Sequence, residues 1–144
     1  MNYLQNDYIL AMTKDELNIL FERHDMRMTR PRLAVANLLL ADKKHRHVSA
    51  EWVARELKEK DENISLATVY NTLKSFVEVG LLRQIQVGGA TTVFDTNTSA
   101  HHHFMKSSTG ELIDIVDDSL DISPMPKPPE GANIKGWDLI IHID

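Results

Sequence analysis

The chain has 144 residues, 42% of them hydrophobic, which suits one compact domain or two small ones and argues against wholesale disorder. It has no cysteine, which excludes disulfides, thiolate zinc sites and thiol nucleophiles, and leaves histidine and carboxylate as metal ligands. The net charge of −5 is unevenly spread: Met1 to Gly88 carries 13 basic against 12 acidic residues, and Gly89 to Asp144 carries 3 against 9. This asymmetry suits a nucleic-acid-reading half joined to an acidic half with another task.

The first residues, MNYLQNDYILAMTKDEL, are too acidic and too briefly apolar for a secretory signal, and no apolar run nears membrane-spanning length, so a cytoplasmic protein with no membrane association is expected. Thr13-Lys14-Asp15-Glu16 is a capping box, and Leu17, Leu20, Phe21 and His24 follow helical spacing behind it. A second helix is predicted from Thr29, with Pro31 in its first turn; its apolar run Leu33 to Leu40 suggests burial on most sides. A third is predicted from Ser49 through Leu57, and a fourth from Ser65, with Leu66, Val69, Leu73, Phe76 and Val77 as its apolar stripe and Gly80 as its stop. The period then becomes strand-like: Leu82 to Val87 alternates, Gly88-Gly89 turns, and Thr91 to Phe94 returns. Helices followed by such a hairpin predict a winged helix-turn-helix.

The second half differs. Phe104 to Lys106 and Leu112 to Ile115 flank Ser-Ser-Thr-Gly, a second hairpin signal; Asp117 to Ile122 can make a short helical turn; four prolines between Pro124 and Pro129 forbid regular structure; Trp137 to Ile143 reads as a last strand. The expected class is α+β: an N-terminal winged helix-turn-helix domain, residues 1–95, followed by a small α/β domain for dimerisation and ligand sensing, residues 96–144.

With Val69, Leu73 and Phe76 inside, the fourth helix presents Ala67, Tyr70, Asn71 and Lys74 on its other face. Asn can pair with adenine, Ala and the Tyr ring can touch thymine methyls, and Lys can take phosphate. Arg27, Arg30 and Arg32, and in the next loop Lys43, Lys44 and Arg46, are candidate phosphate clamps. An ordinary polar helix face is the bland alternative.

His101, His102 and His103 stand side by side. In an extended segment His101 and His103 point one way and His102 the other. His101 and His103 can ligate one ion, with Asp95, Asp114 and His47 as partners; three imidazoles and two carboxylates suit Fe, Mn or Zn. Alternatively the three histidines can serve haem iron, with Phe104 and Met105 packing on the porphyrin. A solvated, metal-sticky loop is the third possibility. A metallohydrolase is disfavoured, because five protein ligands leave little room for substrate and no nucleophile or phosphate cradle is evident, so no enzyme is expected.

Laid out in this way, the chain resembles the ferric uptake regulator (Fur) superfamily from its second helix to its last strand. The resemblance is carried by SLATVYNTL, by GGATTVFDT, and by the histidines followed by Gly-Glu-Leu-Ile-Asp-Ile. Within that superfamily it is most similar to the iron response regulators (Irr), the haem-responsive branch. The resemblance implies a homodimeric repressor-type transcription regulator of iron or haem genes that binds an inverted-repeat operator in double-stranded DNA. It implies Tyr70 as a base contact, Arg27 and Arg32 near DNA, and His47, Asp95, His101, His103 and Asp114 as a regulatory metal site between the domains. It implies haem at His101 to His103. The two aspartates are similar to the peroxide-sensing branch, which is the alternative reading. The cysteine pairs of the superfamily's structural zinc site are missing, so no such zinc is expected.

Overall fold

The computed structural model describes residues 12–88, 92–116 and 120–144. The chain divides into two compact units between Thr98 and Ser99. The division falls after Asp95 because Thr96 and Asn97 are still bonded to the first unit.

The first unit contains α1 (Lys14–Arg23), α2 (Arg30–Leu39), β1 (His47–Val48), α3 (Ala50–Glu59), α4 (Leu66–Glu78), β2 (Arg83–Gln86) and β3 (Thr92–Asp95). Each helix starts at a hydroxyl that accepts a backbone N–H of the first turn: Thr13, Thr29, Ser49 and Ser65. Thr13 and Glu16 form the full capping box. The stop after α4 is a two-bond cap: Leu81 N–H reaches Phe76 O at 2.8 Å and Gly80 N–H reaches Val77 O at 3.1 Å. Gly80 adopts φ +81°, which a side chain would strain.

The core joins all four helices. Leu17 and Phe21 of α1, Val35 and Leu39 of α2, Val53 and Leu57 of α3, and Val69, Leu73 and Phe76 of α4 are buried together with Phe94 of β3. The Phe21 and Phe76 rings meet at 5.9 Å. The apolar run of α2 is buried on one side rather than most: Ala34, Val35, Ala36 and Leu39 are buried, whereas Leu33, Leu38 and Leu40 are half-buried and Asn37 is exposed. A helix between solvent and core needs only one apolar stripe.

The strands form a sheet of order β1-β3-β2, both pairings antiparallel. Residues 89–91, which include Gly89 of the expected Gly88-Gly89 turn and Thr91 of the expected returning strand, lie outside the described residues. Two residues show no period, so the sequence predicts no strand at β1; it exists because β3 offers its second edge.

The second unit contains β4 (His102–Lys106), β5 (Leu112–Ile115) and β6 (Ile140–Ile143) in the order β5-β4-β6. β4 and β5 form the expected hairpin, with Gly110 at φ +73° in its turn. β6 runs parallel to β4 and begins at Ile140 rather than Trp137. The expected turn at Asp117 to Ile122 lies partly outside the described residues, at 117–119; Leu120 to Ile122 are not helical. Among the described residues of this unit only His103 and Leu112 are buried.

Candidate metal and DNA-reading sites

Both units place a histidine opposite an aspartate across an antiparallel ladder. In the first, His47 of β1 pairs in register with Asp95 of β3. Cross-strand neighbours project to the same face, so the side chains meet, with His47 Nε2 3.2 Å from Asp95 Oδ2. Asp95 is fully buried and its Oδ1 accepts the backbone N–H of Asn97 at 2.8 Å. That bond orients the carboxylate and leaves Oδ2 toward the imidazole.

In the second, His103 of β4 pairs in register with Asp114 of β5. His101, two residues earlier, lies on the same side, as strand alternation requires. The two imidazoles are 4.6 Å apart, and both Nε2 atoms lie 3.3 Å from one atom, Asp114 Oδ1. His101 Nδ1 is 2.7 Å from the Ser99 carbonyl oxygen. A carbonyl only accepts, so Nδ1 carries hydrogen, and in the neutral ring Nε2 then presents a lone pair. A lone pair aimed at a carboxylate oxygen requires something positive between them, a proton or a cation. Two imidazoles and a carboxylate, with the His101 tautomer set by Ser99, suit a first-row divalent ion. The residues therefore fit a metal.

His102 points the other way. Its ring lies on Trp137 at 4.1 Å and 22°, and its Nδ1 accepts the Leu139 N–H at 3.2 Å. With Nδ1 accepting, Nε2 of the neutral His102 ring carries the hydrogen and offers no lone pair to iron in this arrangement. The geometry at His101, His102 and His103 fits a bare cation better than haem.

The DNA-reading candidates fall into two groups. Ala67, Tyr70, Asn71 and Lys74 are exposed along α4, opposite buried Val69, Leu73 and Phe76. Tyr70 is braced: it meets Phe94 edge-on at 6.2 Å, and Lys74 Nζ stands 5.8 Å from its ring centre. The arginines are less uniform. Arg27 is exposed, and its carbonyl accepts Arg32 Nη1 at 2.6 Å. Arg30 is held by Glu62 at 3.2 Å, and Arg46 by Asp42 through both guanidinium nitrogens. Each of these two guanidinium groups already has a carboxylate partner, whereas Arg27 and Arg32 have none among the described residues. Lys43 and Lys44 are exposed. Trp137, Thr96 and Asp42 were not anticipated; no local motif points to them, since each acts through a partner remote in sequence or through a tight loop.

Residues 23–142 match the ferric uptake regulator family. The chain is 32% identical over 96 residues to the peroxide-responsive repressor PerR of Staphylococcus epidermidis, a match covering 67% of this chain and 63% of that protein. The chain thus spans about three fifths of the length of the curated relatives it matches. Among solved structures it resembles the ferric uptake regulator of Pseudomonas aeruginosa with manganese: TM-score 0.66, 27% identity, covering 88% of this chain and 95% of the other. It shares the fold of the Vibrio cholerae ferric uptake regulator, with TM-score 0.67 and 24% identity over 88% of this chain and 97% of the other. No described helix is long and apolar enough to cross a membrane. The match over most of the chain, on a fold with these strand-borne His–Asp pairs, shows that it belongs to the ferric uptake regulator family.

Proposed function

We propose that this chain is a metal-responsive, DNA-binding transcription regulator in which one divalent ion (Fe, Mn or Zn) is held by His47, Asp95, His101, His103 and Asp114. The observation that carries the reading is the pair of imidazole nitrogens aimed at the Asp114 oxygen with the His101 tautomer set by Ser99. The connection from Asp95 to His101 is short enough to keep all five donors on a tether of about 20 Å when fully extended. The ion supplies positive charge that several lone pairs can share.

The residues of this chain do the rest. His47 and Asp95 belong to the unit that carries α4, and Phe94, beside Asp95, props the Tyr70 ring. Binding that draws the two strand pairs onto one ion selects among orientations of the units, and only some orientations let two α4 helices reach successive major grooves. Tyr70, Asn71 and Ala67 read base edges there, and Lys74, Arg27 and Arg32 meet phosphate. The acidic second unit needs no phosphate contact. It supports a homodimer instead: a lone three-stranded sheet has little core, and Phe104 stands in register between Ile113 and Ile141, each 37% exposed. A dimer implies an inverted-repeat operator.

Peroxide sensing is the second reading, favoured by the relationship to PerR and by aspartate at both carboxylate positions. In it His47 or His101 gains one oxygen atom in the presence of iron and peroxide.

The test is selection of binding sites from random-sequence duplex DNA with and without Mn(II). Enrichment of an inverted repeat only with the metal supports the reading. Equal enrichment without it removes the metal response, and no enrichment under either condition removes DNA recognition. Mass spectrometry after iron and peroxide decides the second reading: a one-oxygen gain on the His47 or His101 peptide supports it, and an unmodified pair rejects it.

A further inference from the structure

The ion pair and hydroxyl network before β1 has no part in the metal reading above, and its geometry is specific. Asp42 bonds Arg46 through both carboxylate oxygens, the Nη1–Oδ1 bond measuring 2.7 Å. Asp42 Oδ1 also accepts the Lys44 N–H at 3.1 Å. This closes residues 42–46 into a tight loop, with Lys43 at φ +55°. Thr96, the residue after Asp95, reaches the loop through three bonds. Its backbone N–H donates to Arg46 O at 3.0 Å, its hydroxyl accepts Arg46 N–H at 2.8 Å, and the same hydroxyl donates to Lys44 O at 3.1 Å. Arg46 and Thr96 are the residues immediately outside the His47–Asp95 register pair.

A two-residue strand has too few ladder bonds to hold its own register. At β1 the side chain of Thr96 supplies what the ladder lacks, and the Asp42–Arg46 pair fixes the chain leading in. We infer that Thr96 and Asp42 are positioning residues for metal binding: they hold His47 opposite Asp95 without touching the ion. Thr96 acts one step further out than partners that bond a ligand side chain directly, whose loss typically costs about 10–100-fold in affinity, so its effect is expected at the low end of that range. This inference rests on the metal reading proposed above.

Mn(II) affinity is to be measured on the full chain as wild type, Thr96→Val, Thr96→Ser and Asp42→Asn, at a temperature where far-UV circular dichroism shows each apo protein folded. The visible absorption of bound Co(II) reports ligand geometry on the same four proteins. Thr96→Val is expected to weaken Mn(II) binding about tenfold and to change the Co(II) bands. Asp42→Asn is expected to do the same more mildly, and Thr96→Ser, which keeps the hydroxyl, to restore both readouts. Wild-type affinity and bands in folded Thr96→Val and Asp42→Asn overturn the inference and leave the metal reading standing. Should Thr96→Val fail to fold, Asp42→Asn and Thr96→Ser decide it alone. A wild type that binds neither ion overturns the metal reading and this inference with it.

Discussion

Asp95 stands directly opposite His47 across the β1–β3 ladder, with its Oδ2 3.2 Å from the imidazole Nε2 and its Oδ1 tied to the Asn97 N–H. The Asn97 bond limits how far the carboxylate can turn. His103 and Asp114 repeat the arrangement across β4 and β5. Side chains carried on paired strands are held more precisely than side chains on loops.

Ion pairing separates the arginines proposed to meet phosphate. Arg30 is compensated by Glu62, and Arg32 is held only by a neutral carbonyl. Arg32→Ala is expected to lower the slope of log affinity against log salt by about one on a selected operator, and Arg30→Ala to leave it nearly unchanged. Tyr70→Ala is expected to weaken operator binding by about 1–3 kcal/mol without that change in slope. Fluorescence anisotropy across a salt series reads all three, and equal slopes for the two arginine variants would contradict the assignment.

Acid stability reports the Asp42–Arg46 pair. Arg46 bonding, with a smaller part from the Lys44 N–H and against the opposing effect of burial, lowers the Asp42 carboxyl from 3.8 to about 2. A depressed carboxyl stabilises the fold above its unfolded value, so the contribution is complete above about pH 4 and lost as pH falls through about 2. Asp42→Asn is expected to cost about 1 kcal/mol at neutral pH and to show a shallower fall in stability between those limits. Urea unfolding at several pH values measures it; parallel stability curves for the two proteins count against the pair.

Much of this was legible beforehand. The four hydroxyl caps, the α4 stripe and the alternation that separates His102 from its neighbours are local features, and the structure carries them as expected. What was hidden depended on partners far along the chain. β1 is defined by β3, not by its own two residues. Glu62 reaches Arg30 across 32 positions, and Trp137 reaches His102 from beyond the proline-rich stretch. Polarity shows that an arginine is exposed, but not whether a carboxylate already holds it.

Haem ligation through His102 Nε2 requires the ring to give up the tautomer in which Nδ1 accepts the Leu139 N–H. His102→Ala is expected to leave a Soret titration with haem unchanged, and weaker haem binding by that variant would contradict this.

The apolar row Ile113–Phe104–Ile141 is the proposed contact between copies. A lysine at an apolar interface leaves a charge buried in both copies. Ile113→Lys and Ile141→Lys are each expected to shift the dimer toward monomer in sedimentation velocity while the first unit stays folded. An unchanged dimer in both would move the interface elsewhere.

The proposed function requires one ion to take donors from both units. Calorimetric titration of the full chain with Mn(II), wild type beside Asp95→Ala and Asp114→Ala, measures this. One ion per chain is expected in the wild type, with a loss of affinity of at least tenfold in each variant. Wild-type affinity in either variant would show that one unit binds the ion by itself, and would contradict the shared site.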